Sequence, residues 1–532
     1  MATTHTKCPV CDKIAVEVSQ LKFSKFTLVK LRCGHVMKQS EVIVPARPSA
    51  AGPELEFDEP KFKSKSGKTP YPFQENTIEF IFSTGGRCLI AHEQGLGKTI
   101  CALCALARAS SMLPALVICK GNLGIQWMKQ ACDWLPGDVF PQIIEGSRDF
   151  ILPNMHLYII SYDLLRRMPE SFYEREFKTI ILDEVQHIKS TSSARTDKVR
   201  HICRNAQHII GLSGTPIKNN AGEYYTILNL LKPERFPSKE YFLHNFVDTY
   251  WNGRTFAVGG LKNPDYFRER TEDFILRYSQ AEVLPDLPAL KRNFHYFDID
   301  KDLREAYNKQ VQELQDFLNE HEDNAYSFSN YSTVIQYITK MRQITGVAKV
   351  GSTVDYIEEL MENTDQKVIV FLHHHVARGL LFKALEAKKI GFISITEADN
   401  ATRKDQIKQD FIADPSKRVL ILGTLSSGEG VDGLQEVCHR MIVMERQWNP
   451  ANEEQAEKRL HRIGQDNPVD VDYPIALGTI DEMFTELVEK KRQFCKETYG
   501  DEDAEKWNET DIIKSLVSSI TVKRGGKKWA IA

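Results

Sequence analysis

Two sets of short apolar runs alternate with amphipathic stretches along the chain. The first set is CLIA from Cys88, LVIC from Leu116, LYII from Leu157, TIIL from Thr179 and HIIGL from His208. Each is too short for a helix and is bounded by Gly, Pro or charge, the pattern of a parallel strand buried on both faces. The second set is KVIVFL from Lys367, FISIT from Phe392, RVLILGT from Arg418, RMIVME from Arg440 and VDVDYPIA from Val469. Strand runs alternating with helical segments predict an α/β fold of two parallel-sheet, RecA-like lobes. Between them, Leu303, Tyr307, Val311, Leu314 and Leu318 recur at three- and four-residue spacing along one helix face, which predicts an all-helical insertion.

These patterns divide the chain into a leading unit at 1–45, a Pro-, Lys- and Ser-rich linker at 46–70 and a first lobe at 71–219. The helical insertion and inter-lobe linker follow at 220–352, the second lobe at 353–498 and a charged tail at 499–532. A length of 532 residues suits two main domains with small appendages. Lys and Arg total 69 against 72 Asp and Glu, a net charge of −3. That balance excludes a globally basic DNA-coating protein but leaves room for a local positive groove. No apolar run is long enough to span a bilayer. The opening MATTHTKCPVCDK lacks the apolar core of an export signal, and the 11 cysteines lie mostly in apolar segments. An intracellular protein with reduced thiols is therefore expected, in the cytoplasm or nucleoid, in a host cytoplasm if phage-encoded, or in a nucleus if eukaryotic.

The segment CLIAHEQGLGKTI puts a strand, a Gly-containing loop and a helix start in succession. Backbone N–H groups at such a helix start favour phosphate, and Gly95 and Gly97 let the loop curl around it. Lys98 is expected to reach the β- and γ-phosphates of ATP, and the Thr99 hydroxyl to ligate Mg²⁺. His92 stands where the strict phosphate-loop pattern has Gly. The run TIILDEVQHIKS ends a strand with Asp183 and Glu184, at the sheet edge where open α/β folds bind ligands. Asp183 suits Mg²⁺, and Glu184 suits orienting and deprotonating the attacking water. Far along the chain, Arg459 and Arg462 lie three residues apart, on one face of a helix or at its end. Positive charge supplied there against the γ-phosphate would link hydrolysis to lobe closure, a solvated basic helix being the plain alternative.

At the N-terminus, Cys8 and Cys11 followed by Cys33 and His35 supply four ligands of zinc type around a β-like stretch. Tetrahedral zinc accepts three Cys and one His, and so short a unit buries little core without a metal. His5 is the rival ligand, and free thiols in a frayed end the plain alternative. Trp127, Trp134 and Trp448 sit among apolar neighbours and read as core rather than base-stacking groups. Cys101 and Cys104, one helical turn apart, read as small residues facing a sheet.

Taken in order, the segments resemble a superfamily 2 helicase of the Swi/Snf type, from about Phe73 to Val488. The matching strings are PYPFQ, EQGLGKT, ALVICKGNLGIQWMKQ, DEVQHIKS, LSGTPIKNN, FILRYSQAEVLPDLP, GTLSSGEGVDGLQ and QWNPANEEQAEKRLHRIGQ. MRQITGVAK and VFLHHHVA look nearest to the branch of annealing helicases and compact phage or bacterial members. The resemblance implies a DNA-dependent ATPase that translocates on double-stranded or branched DNA, with Gln74 reading adenine and Gly430 and Gln455 at the nucleotide. It also implies DNA-backbone contacts by Lys120, Asn122, Thr215, Thr424 and Ser427, of the kind that fix register without reading bases. A protein partner through the N-terminal unit or the tail fits the same picture, and a membrane does not. A strand-separating helicase and an inactive DNA-binding scaffold are the competing readings. The chain departs from the family at His92, Val185, Gln186 and Asp432, and the Gln186 change is expected to weaken coupling between the DEVQ loop and the SGT segment.

Overall fold

The computed structural model describes residues 63–497, apart from short breaks at 150, 189, 191–192, 215–220, 252–255, 322–327, 424–432 and 449, together with short strands near the N-terminus. The chain divides into two compact units that meet in sequence between Val283 and Leu284.

In the first unit seven strands form one sheet, in the spatial order Ile275–Leu276, Arg87–Ile90, His208–Leu212, Thr179–Asp183, Ala115–Cys119, Leu157–Ser161 and Pro141–Ile144. Every pairing in it is parallel. Successive strand residues point to opposite faces, so Cys88, Ile90, Val117, Ile181 and Ile210 join a core with the helices Pro72–Ser83, Lys98–Arg108 and Gly124–Trp134. Leu89, Leu116, Ile118, Ile180 and Leu182 join a second core on the other face with Tyr162, Phe172 and Phe242. Both faces are covered, which is why the strands read as unbroken apolar runs. Cys101 and Cys104 are fully buried beside this sheet, and Trp127 and Trp134 are core residues as expected.

The second unit holds a six-stranded sheet, ordered Leu290–Phe297, Val469–Ala476, Cys438–Val443, Lys367–Phe371, Val419–Leu422 and Phe392–Ile395, again parallel throughout. Helices Lys301–Glu320, Phe328–Asn363 and Ile480–Glu497 share an apolar core that contains Tyr307, Leu314 and Leu318.

The stretch between the two apolar sets is not all-helical. Val247–Trp251 and Phe256–Leu261 pair as an antiparallel hairpin, Ile275–Leu276 completes the edge of the first sheet, and Leu290–Phe297 forms the edge of the second. Edge strands keep only part of their surface buried, so LKRNFHYF carries no clean apolar run to read. Near the N-terminus, Glu17–Lys22, Thr27–Leu31 and Val36–Lys38 form an antiparallel sheet. The expected zinc ligands Cys8, Cys11, Cys33 and His35 lie outside the described residues, as does the tail from 498 onward. Among the described residues no helix is long and apolar enough to cross a membrane.

Candidate nucleotide site

Because the strands of the first sheet are parallel, the segments that leave their carboxyl ends gather at one edge. After Ile90 comes the loop to Lys98, after Cys119 the turn with Lys120 and Asn122, at the end of the adjoining strand Asp183 with Glu184 just beyond it, and after Leu212 Ser213.

Gly95 and Gly97 adopt φ of 84° and 71°, left-handed values that side chains rarely take. A Cβ on Gly97 would stand 2.4 Å from Gln74 Nε2 and push that amide aside, and the left-handed φ favours glycine there in any case. Gln74 is itself buried, and its Oε1 accepts the Tyr71 backbone N–H at 2.9 Å. The glutamine expected to read adenine thus borders the phosphate loop. Lys98 opens the helix Lys98–Arg108 and donates through Nζ to the carbonyls of His92 at 2.9 Å and Glu93 at 3.2 Å. Thr99 follows in the first helical turn.

His92 is built into the core behind that loop. Its Nδ1 accepts the Tyr278 backbone N–H at 3.1 Å, which leaves the proton on Nε2, 2.8 Å from Thr77 Oγ1. Thr77 donates its own hydroxyl to the Phe73 carbonyl at 2.7 Å. Burial, with the Lys98 charge second, pulls the imidazole down to about 3, so it is neutral. A neutral histidine thus ties the glutamine-bearing helix to the segment that leads into the phosphate loop.

Asp183 ends its strand half-buried. Desolvation, and then the neighbouring charge of Glu184, raise its carboxyl to about 6. Trp127 Nε1 donates to Asp183 Oδ2 at 2.8 Å, and Tyr162 Oη donates to the Asp183 carbonyl at 2.9 Å. Glu184 has φ of 49°, a conformation that costs a non-glycine residue roughly 1–2 kcal/mol and is held only by its surroundings. Part of that hold is Gln186, whose Nε2 donates to Glu184 Oε2 at 2.5 Å. Ser213 Oγ in turn donates to Gln186 Oε1 at 2.7 Å. An amide offers a donor and an acceptor at once, and Gln186 uses both, linking Glu184 to Ser213 of the SGT segment.

In the second unit, the helix Pro450–Glu457 carries Gln455 and stops short of Arg459 and Arg462, which occupy the hydrogen-bonded turn beyond it. That helix is anchored from beneath. Glu453 binds Arg446 at 2.7 Å and Arg492 at 2.6 Å; Glu457 binds Arg492 at 2.9 Å and Arg292 at 2.5 Å, and accepts from Tyr473 Oη at 2.8 Å. Both glutamates are wholly buried. Neither this network nor the Trp127, Tyr162 and Gln186 contacts announced themselves by spacing. Thr215, Thr424, Ser427 and Gly430 lie outside the described residues.

The cradle suits a magnesium–nucleotide complex. A glycine loop too tight for side chains stands beside an amine, a hydroxyl and two carboxylates at one sheet edge, the donor set such a complex needs.

These features define a doubly wound α/β protein with a phosphate loop. The chain belongs to the SNF2-related family: the SNF2-related domain matches residues 73–348, and the helicase conserved C-terminal domain matches residues 348–464. It is similar to the DNA annealing helicase and endonuclease ZRANB3 of Homo sapiens, 27% identical over 458 residues, which cover 82% of this chain and 42% of that protein. It is likewise similar to the SWI/SNF-related matrix-associated actin-dependent regulator of chromatin subfamily A-like protein 1 of Xenopus tropicalis, 27% identical over 447 residues, covering 82% of this chain and 45% of that protein. The chain thus spans less than half the length of these relatives. Among solved structures, the Sulfolobus solfataricus SWI2/SNF2 ATPase core in complex with dsDNA is 22% identical, with a TM-score of 0.41, and covers 87% of this chain and 99% of that one.

Proposed function

We propose that the protein is an ATP-driven translocase on double-stranded DNA that remodels protein–DNA complexes or anneals and migrates branched DNA. One observation carries this reading: the Lys98 loop, the Asp183–Glu184 pair and Ser213 lie at one sheet edge, with Gln186 joining Glu184 to Ser213, in a chain of the SNF2-related family.

In this reading Lys98 leaves the carbonyls of His92 and Glu93 to hold the β- and γ-phosphates, while backbone N–H groups of the loop cradle them. Thr99 and Asp183 would hold Mg²⁺, which would supply positive charge where negative charge builds on the phosphate oxygens. Glu184, aimed by Gln186, orients the attacking water and takes its proton. Arg459 and Arg462 stabilise the γ-phosphate as it is transferred, with Gln455 and Gly430 beside the nucleotide. Lys120, Asn122, Thr215, Thr424 and Ser427 grip the DNA backbone. The alternation of ATP-bound and hydrolysed states then drives stepping without base recognition. Cys8, Cys11, Cys33 and His35 would hold a zinc ion, the antiparallel strands Glu17–Lys22 and Thr27–Leu31 lying between the two ligand pairs in sequence.

The test pairs DNA-stimulated ATP turnover with displacement of the third strand of a triplex and with unwinding of a plain duplex. Stimulated turnover and triplex displacement without duplex unwinding support the reading. Turnover indifferent to DNA overturns it, and duplex unwinding makes the protein a strand-separating helicase instead.

A further inference from the structure

Trp127 lies on the helix Gly124–Trp134 with only 1% of its surface exposed, packed in the core beside the helix that begins at Lys98. A phenylalanine or leucine would fill such a place without a polar atom to satisfy. The indole N–H is satisfied by one group, Asp183 Oδ2, at 2.8 Å and across 56 residues of sequence. Tyr162 Oη holds the carbonyl of the same aspartate. The residue is therefore pinned at its carboxylate and at its backbone by two different elements.

The kind of donor matters. An arginine or lysine against Asp183 would stabilise the carboxylate but repel a cation. The indole brings no charge and has no acceptor with which to compete for the metal. The Glu184 backbone N–H also donates to this carboxylate, which is thus oriented by two donors and keeps lone pairs open for a cation. Outer hydrogen-bond partners of this kind fix the direction in which a ligand presents itself.

We propose that Trp127 is a positioning residue for the divalent cation of the nucleotide complex, fixing the orientation in which the Asp183 carboxylate meets the metal. The inference rests on the reading of Asp183 as a magnesium ligand, and its test separates the two. Mn²⁺ binding to the full chain in the presence of ADP is followed by electron paramagnetic resonance for the wild type, Asp183→Asn and Trp127→Phe. ADP binding in EDTA serves as the control for an intact pocket. Asp183→Asn is expected to abolish site binding, and Trp127→Phe to weaken it by roughly tenfold or more with ADP affinity in EDTA unchanged. Replacing Trp127 by its benzothiophene analogue, which exchanges the N–H for sulfur at nearly constant volume, is expected to do the same and covers the case of a phenylalanine variant that does not fold. Wild-type Mn²⁺ affinity in either Trp127 variant, with binding lost in Asp183→Asn, overturns the inference. Wild-type affinity in Asp183→Asn overturns the reading beneath it.

Discussion

The Ser213 hydroxyl donates to Gln186 at 2.7 Å, across 27 residues of sequence, and Gln186 passes the contact on by donating to Glu184. Gln186 thus makes both bonds with a side chain that does not titrate. Gln186→Leu keeps the volume and loses both bonds. Turnover at saturating ATP and DNA is expected to fall roughly tenfold while KM for ATP stays within about twofold, because the lost contacts aim the base rather than bind the nucleotide. Gln186→Glu places a carboxylate against Glu184 and is expected to fall further. An unchanged kcat in Gln186→Leu would remove Gln186 from the catalytic arrangement.

The roles assigned to the charged groups differ, and so do their expected losses. Glu184→Gln keeps the shape and ATP binding but loses the base, a drop of roughly 10²- to 10⁴-fold in turnover. Lys98→Ala is expected to weaken ATP binding itself, since the amine is the loop's cation. Arg462→Ala is expected to bind ATP as the wild type does and to hydrolyse it roughly 10³-fold more slowly. Fluorescent-nucleotide binding beside steady-state ATPase rates distinguishes the three. Equal nucleotide affinity in all of them would count against the assignment of Lys98.

The two sheets were legible because strands covered on both faces are apolar along their middle, as in Ile180–Leu182 of the first sheet and Val419–Leu422 of the second. The phosphate loop and the acidic pair were legible because their chemistry lies in consecutive residues. Leu290–Phe297 escaped because an edge strand tolerates Lys291, Arg292 and His295, and Ile275–Leu276 is too short to show any period. Trp127 with Asp183, and Gln186 with Ser213, pair residues whose separation in sequence carries no periodic signal. Apolar neighbours correctly marked Trp127 as core, and the same pattern hid its one polar bond.

His92 makes the first lobe sensitive to acid. Burial holds its folded-state value near 3, whereas in the unfolded chain a histidine titrates near 6.5. Between these values the unfolded chain takes up a proton that the folded chain refuses. The contribution is therefore complete above pH ~6.5 and is lost as the pH falls, at up to about 1.4 kcal/mol per unit. Between pH 7.5 and 5.5 the wild type is expected to lose roughly 1 kcal/mol more stability than His92→Gln, which has no titrating group. Urea unfolding of both proteins at the two pH values measures this, and parallel losses would show that His92 is not the source.

Arg492 is the hinge pin of the buried network beneath the arginine-bearing turn. It binds Glu453 at 2.6 Å and Glu457 at 2.9 Å, and both carboxylates are fully buried. Bonds to Arg292 and Arg492 hold Glu457 well below the ordinary carboxylate range against its burial, at about 2. Arg492→Met leaves Glu453 with Arg446 and Glu457 with Arg292, each short of a donor in a place water does not reach. Breaking a buried pair on one side costs about 3–5 kcal/mol, so the unfolding transition of the second lobe is expected to drop accordingly. Arg492→Met combined with Glu457→Gln removes a surplus charge as well, and is expected to cost less than the sum of the two single changes. Glu457 ends the helix two residues before Arg459, so a loosened network also loosens the turn that presents the arginines. ATP turnover measured well below the melting transition is therefore expected to fall in Arg492→Met, and full activity in a destabilised variant would confine the network to stability alone.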